Sequence, residues 1–339
     1  MNALLDQYEP GLTSEKIQGL FGPLAKELST LVKQAAAKKQ PNLPPAIYDL
    51  SAQKQLSIEI AKALGYDLGA GRIDISPHPF TVDFHPTDVR ITTRYNEHDF
   101  WESLSSTIHE TGHALYQQGL LVKDFGTPLC EPVSLGIHES QSRIWENFVG
   151  KSKDFTGYLY PLLERYFGKK IIHYSSEELY QWLNRVRPHF IRVESDEVTY
   201  NLHIVLRFEI EKELIEGKLK AADVPALWNQ KMKDYLGLVV PSDAQGCLQD
   251  IHWSHGTFGY FPTYTLGNLY AAQLYQKIKK DIPGLERAFL KGDFSQFLAW
   301  LRREIHVHGR RYQPEELLER ATGEPLNPRY LIEHLKTKV

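Results

Sequence analysis

Residues 108–119 read Ile-His-Glu-Thr-Gly-His-Ala-Leu-Tyr-Gln-Gln-Gly, and the H-E-x-x-H inside that run constrains the chain more than any other feature. Two histidines four apart project from one face of a helix about 40° apart, so both imidazoles can reach a common ion. The intervening Glu110 points about 60° to the side of His113, where it can hold a water without ligating the ion. The flanks predict the helix that this needs. Asp99 followed by Glu102 forms a D-x-x-E start signal resembling a capping box, and Gly119 is a natural stop, so a helix is expected over 99–118. The arrangement is that of a zincin, with His109 and His113 as ligands and Glu110 as general base. Alone it is weak evidence, because the motif arises by chance in roughly a few per cent of chains like this one.

A third ligand strengthens it. The next predicted helix, 134–149, carries His138 and Glu139, and Glu139 stands 26 residues after His113. Two antiparallel helices joined by a loop of that length can bring three ligands together. Two histidines and one glutamate leave a fourth position open, which is the catalytic pattern rather than the closed structural one. Glu146, seven residues further along the same face, is the competing candidate. A metzincin would need a third histidine soon after His113, and residues 114–137 contain none.

Around this centre the pattern is mainly helical. Helices are expected at 14–39, 51–65, 155–167, 176–186, 188–216, 221–236, 264–279, 283–291, 294–305, 313–321 and 327–336. The stretches GRIDIS and DVRITTRY alternate with the two-residue period of strands, so a small sheet is expected beside the histidine helix. Residues 237–262 form a long glycine-bearing loop, of the kind that is usually functional. Hydrophobic residues make up 42% and charged residues 24%, a globular composition read as a single domain over 1–339. The net charge is −3 with no concentrated basic stripe, so nucleic acid is not an expected partner. No apolar run approaches a membrane span, and the opening MNALLDQYEP lacks the features of a signal peptide. Two cysteines are too few for a disulfide framework, which points to the cytoplasm.

At this point the chain resembles the carboxypeptidase Taq family of metallocarboxypeptidases. Six stretches carry the likeness in the family's order: HPF at 78–80, DVRIT at 88–92, HETGH at 109–113, HESQ at 138–141, IRVESD at 191–196 and GCLQDIHW at 246–253. The resemblance implies a zincin-type, neurolysin-like helical cleft of the gluzincin group. It also implies removal of single residues from peptide C-termini with broad preference. One divalent metal is implied, zinc first, with cobalt or manganese accepted by the same ligands. Homodimers are common in the family. Typical members have a further N-terminal helical segment that helps wall the cleft, so this chain reads as a short form, a fragment or one half of a split enzyme.

The chemistry implied by that resemblance needs further residues. Tyr260 and Tyr264, on the run HGTFGYFPTYTLG, are the expected donors to a tetrahedral oxyanion. An exopeptidase must also recognise a free carboxylate, for which a bidentate arginine is suited. Arg192 is the first candidate, its competing role being an ion pair with Asp196, its i+4 neighbour. Arg90 is the second, its competing role a salt bridge at a strand edge. His252 is expected either to bind the substrate or, with Asp250, to orient ligands. His78 is expected to shape the floor of the site. Two other functions compete: an endopeptidase or dipeptide-releasing activity on the same centre, and a non-catalytic subunit that needs an N-terminal partner.

Overall fold

Residues 1–169 and 171–339 are described by a computed structural model. The histidine helix runs from Phe100 to Gln117, with Asp99 at its N-cap accepting the N–H groups of Trp101 and Glu102. Only this half of the expected capping box forms, because Glu102 turns instead to Asn96 and Arg94. Strands β1 (Ile73–Ile75), β2 (Thr81–His85) and β3 (Asp88–Thr93) lie beside it in the order β1-β3-β2. β1 pairs parallel with β3, and β2 pairs antiparallel, with Thr81 opposite Ile91. Val89 and Ile91 of β3 are buried against Ala114 of the histidine helix, together with Ala61 and Tyr66. β2 was not expected from the sequence. It alternates over Thr81-Val82-Asp83-Phe84-His85 but is only five residues long between Pro79 and Pro86, and the tertiary partner supplies its pairing.

The second helix of the site is not uniform. Leu135–Arg143 is α-helical and Ile144–Val149 is a π turn, closed by Gly150 N donating to the Trp145 carbonyl at 2.7 Å. A continuous helix over 134–149 was expected, and the wider turn is a local departure of a kind frequent at functional sites.

The expected helix over 188–216 begins only at Glu197 and ends at Ile215. Asp196 caps it by accepting from Val198 and Thr199, and it also accepts the Arg187 N–H, so 187–196 is held as a loop. Pro188 favours that outcome, since it biases its predecessor away from helix. Glu197–Ile215 and Pro262–Asp281 are buried around most of their circumference. Both are central elements rather than surface helices. A helix over Asn2–Asp6, which the sequence did not suggest, packs Leu5 into the same core. Among the described residues no helix is long and apolar enough to cross a membrane.

Candidate metal centre

Glycine lets the two ligand-bearing helices approach. A Cβ on Gly112 would stand 2.5 Å from the Gln141 carbonyl oxygen and 2.7 Å from Ser142 Cα. On the far side, a Cβ on Gly267 of helix Pro262–Asp281 would meet Glu139 Cγ at 2.5 Å. The Glu139 helix is thus wedged between two neighbours, and both contacts are too close for any other residue type.

That wedge brings the three expected ligands together. Donor atoms of His109, His113 and Glu139 all lie within 4.8 Å of one another. Glu139 Oε2 is 3.9 Å from His109 Nε2 and 3.4 Å from His113 Nε2. Both imidazoles are held from behind. His109 Nδ1 is 2.8 Å from Glu146 Oε2, and a carboxylate only accepts, so the ring proton sits on Nδ1 and the Nε2 lone pair faces Glu139. His113 Nδ1 is 2.5 Å from His138 Nδ1. His138 Nε2 in turn accepts from the Gln117 amide nitrogen at 3.1 Å. Such outer partners fix the tautomer and the ring plane of a ligating histidine. Glu146, weighed from sequence as a rival ligand, stands behind His109 instead.

Arg143 ties the carboxylates together. Its Nε donates to Glu139 Oε1 at 2.6 Å and its Nη1 to Glu146 Oε2 at 3.1 Å. Burial alone would raise the Glu139 carboxyl, but Arg143 and the two histidines hold it well below the usual carboxylate range. Burial would likewise depress His109, and Glu139 and Glu146 more than offset it. Two carboxylates against one guanidinium leave one formal negative charge, and with two imidazole Nε2 atoms facing Glu139 they suit a divalent cation. Sequence reasoning missed Arg143, although E-x-x-x-R at 139–143 is a visible i,i+4 pair.

Glu110 is separated from this ionic network. It is 7% exposed, and Thr81 on β2 donates to its Oε2 at 2.5 Å. Glu110 thus has a neutral hydroxyl as its neighbour. Thr81 went unnoticed in the sequence because its strand did.

A cleft of about 640 Å³ opens over these residues. Tyr260, Tyr264 and Arg192 line it too. The tyrosine rings are 5.3 Å apart, and burial pushes the Tyr260 hydroxyl up to about 12 and raises Tyr264 well above its ordinary value. His252 does not line the cleft and sits behind Tyr264, with Nε2 3.3 Å from its hydroxyl. Burial and Arg192 pull His252 down to about 4, so it is neutral near pH 7.

Arg192 does not pair with Asp196. Its Nη2 meets Asp250 Oδ1 at 2.7 Å, and its Nη1 donates to the Tyr200 hydroxyl at 2.9 Å. Arg207, fully buried, takes the other oxygen of Asp250 at 2.7 Å. Asp196 is engaged in capping, which explains the change of partner.

Arg90 lies outside the cleft, exposed and paired with Asp88 at 2.8 Å, and its strand β3 is the central one of the sheet rather than an edge. His78 lines the cleft but is exposed, which puts it at the rim rather than the floor.

Known proteins share this architecture. The sequence profile of the carboxypeptidase Taq (M32) metallopeptidases matches residues 1–339. The chain is 43% identical to Carboxypeptidase 1 of Bacillus subtilis, covering 99% of this chain and 68% of that one. It is 44% identical to Thermostable carboxypeptidase 1 of Pyrococcus furiosus, with the same two coverages. A crystal structure of an M32 carboxypeptidase from Deinococcus radiodurans superposes with a TM-score of 0.97 at 39% identity, covering 99% of this chain and 68% of that one. Trypanosoma cruzi metallocarboxypeptidase 1 superposes at 0.95 with 40% identity, covering 99% and 71%. The chain therefore spans about two thirds of the length of these proteins.

Proposed function

This chain belongs to the carboxypeptidase Taq (M32) metallopeptidase family and is a metal-dependent carboxypeptidase; from that premise we propose that it releases single residues from free peptide C-termini with broad side-chain tolerance. In this reading His109, His113 and Glu139 hold the metal and Glu110 is the general base. The observation that carries it is the convergence of those three donor groups within 4.8 Å, in a cleft that Glu110 also lines. Zinc suits two imidazoles and a carboxylate, and cobalt or manganese would be accepted. Bound there, a divalent ion supplies Lewis acidity toward the scissile carbonyl and toward a water molecule.

The protein's own groups do the rest. Glu110, oriented by the Thr81 hydroxyl, takes a proton from the attacking water and passes it to the leaving amine nitrogen. Tyr260 and Tyr264 stay protonated far above neutral pH, so each has an O–H to offer the tetrahedral oxyanion. Neutral His252, with Nε2 at 3.3 Å from the Tyr264 hydroxyl, steadies that phenol at the edge of the cleft.

Arg192 is the proposed clamp for the substrate carboxylate. Two arginines share Asp250, so one formal positive charge is left over beside the cleft. Cytoplasmic residence and pairing into homodimers belong to the same reading. The first is supported by the free, buried thiols of Cys130 and Cys247, and the second by family habit alone.

The deciding experiment compares a blocked dipeptide with its C-terminal amide, using zinc-loaded protein. A carboxypeptidase discriminates strongly, because the amide leaves its cationic clamp without a charged partner. Equal cleavage of the two would sink this reading and favour an endopeptidase.

A further inference from the structure

The helix that presents Glu139 starts only four residues before it, at Leu135. The first N–H groups of a helix have no partner within it, so whatever satisfies them sets where the helix begins and how it points. Here Ser134 Oγ accepts from Ile137 at 3.0 Å. The other two acceptors come from far away in sequence. The Tyr8 carbonyl accepts from Leu135 N at 3.0 Å, and Glu9 Oε2 accepts from Gly136 N at 2.9 Å. A Cβ at position 136 would stand 2.5 Å from that same Glu9 oxygen and push the carboxylate off the helix end. The second Glu9 oxygen accepts from the Tyr270 hydroxyl at 2.8 Å, on the helix that also carries Tyr264 and Gly267. Glu9 is 2% exposed. One buried carboxylate therefore pins the Glu139 helix to the tyrosine helix.

The adjacent side chain reaches the other half of the site. The Tyr8 ring packs edge-on against Tyr260, with centroids 5.2 Å apart. Just before Tyr260, Gly259 adopts φ +90°, and a Cβ there would stand 2.6 Å from the Leu4 carbonyl oxygen. Residues 4–9 therefore brace both the ligand helix and the turn that delivers a tyrosine to the cleft.

We propose that Glu9 and Tyr8 are positioning residues with separable effects, Glu9 holding the metal ligand Glu139 in place and Tyr8 holding Tyr260. Neither reaches the reacting atoms. The inference rests on the proposed metal-dependent hydrolysis, so wild-type protein must first bind zinc and cleave a blocked dipeptide. If wild type does neither, it is the functional reading that fails.

The test measures the zinc dissociation constant by chelator competition, the melting temperature with and without zinc, and kcat and KM separately. Glu9→Ala is expected to weaken zinc binding about tenfold and to shrink the zinc-induced rise in melting temperature. Glu9→Gln, whose amide oxygen can still accept from Gly136, should stay within about threefold of wild type. Tyr8→Ala should leave zinc binding unchanged and lower kcat about tenfold at constant KM, with Tyr8→Phe restoring it. A purely structural role would lower the melting temperature equally with and without zinc, and would move both variants in the same parameters; that pattern overturns the proposal. Should Glu9→Ala not fold, Tyr270→Phe loosens the same carboxylate and keeps the ring. Zinc binding weakened about threefold then supports the proposal, and an unchanged constant overturns it.

Discussion

At the metal centre, the three ligands and the residues directly behind them come from two short stretches, 109–117 and 138–146. At the Arg192 cluster the partners are 58 residues apart for Arg192 and Asp250, and 43 apart for Arg207 and Asp250. The first site is drawn by helical periodicity, and the second by a loop folding back on a buried helix. Their charges differ as well. The metal centre, without its ion, carries surplus negative charge, whereas the arginine cluster carries surplus positive charge. A peptide C-terminus needs that contrast, with an electrophile at its last carbonyl and a cation at its carboxylate.

The comparison can be broken or sharpened at several points. Glu110→Gln should give the largest effect, about a thousandfold loss of kcat with full metal content. Unchanged turnover in a metal assay paired with hydrolysis would assign the proton transfer to another residue. Next comes Arg192→Ala, expected to cut kcat/KM about a hundredfold for a free-acid peptide and hardly at all for its amide. Equal losses on both substrates would move carboxylate recognition elsewhere.

Glu146→Gln belongs to the first region alone. It should weaken zinc binding about tenfold and leave KM for bound-metal enzyme unchanged, read by chelator competition beside initial rates. The smallest effect concerns Glu211, which accepts from Gly259 N beneath the tyrosine loop. Burial pushes its carboxyl up from 4.5 to about 7. The folded chain then holds a proton that the unfolded chain releases, so stability falls as pH rises from about 4.5 through about 7. Glu211→Gln should flatten that part of the melting curve and raise the melting temperature at pH 8 by about 2 °C. A slope identical to wild type would show that other groups set it.

The two regions were not equally legible. The candidate metal ligands could be named because i, i+4 spacing and a following helix are local facts. Arg143 was visible as an i,i+4 partner and was overlooked. Arg192 was singled out by motif; the competing pair with Asp196 does not form, since Asp196 is spent on a helix cap and Asp250, across the fold, takes the guanidinium. Arg90 looked like a clamp only while its strand had no place in space; in the fold it faces solvent with Asp88. The Glu9 brace left no local signal at all.

By itself the sequence determined the candidate triad His109, His113 and Glu139, the helix that carries two of its members and the mainly helical class, because those follow from spacing along the chain. Tertiary structure alone decided which groups stand behind the triad, which aspartate holds the arginines and which strand bonds Glu110. Side chains distant in sequence meet only after the helices pack, and close packing admits one set of partners where periodicity allows several.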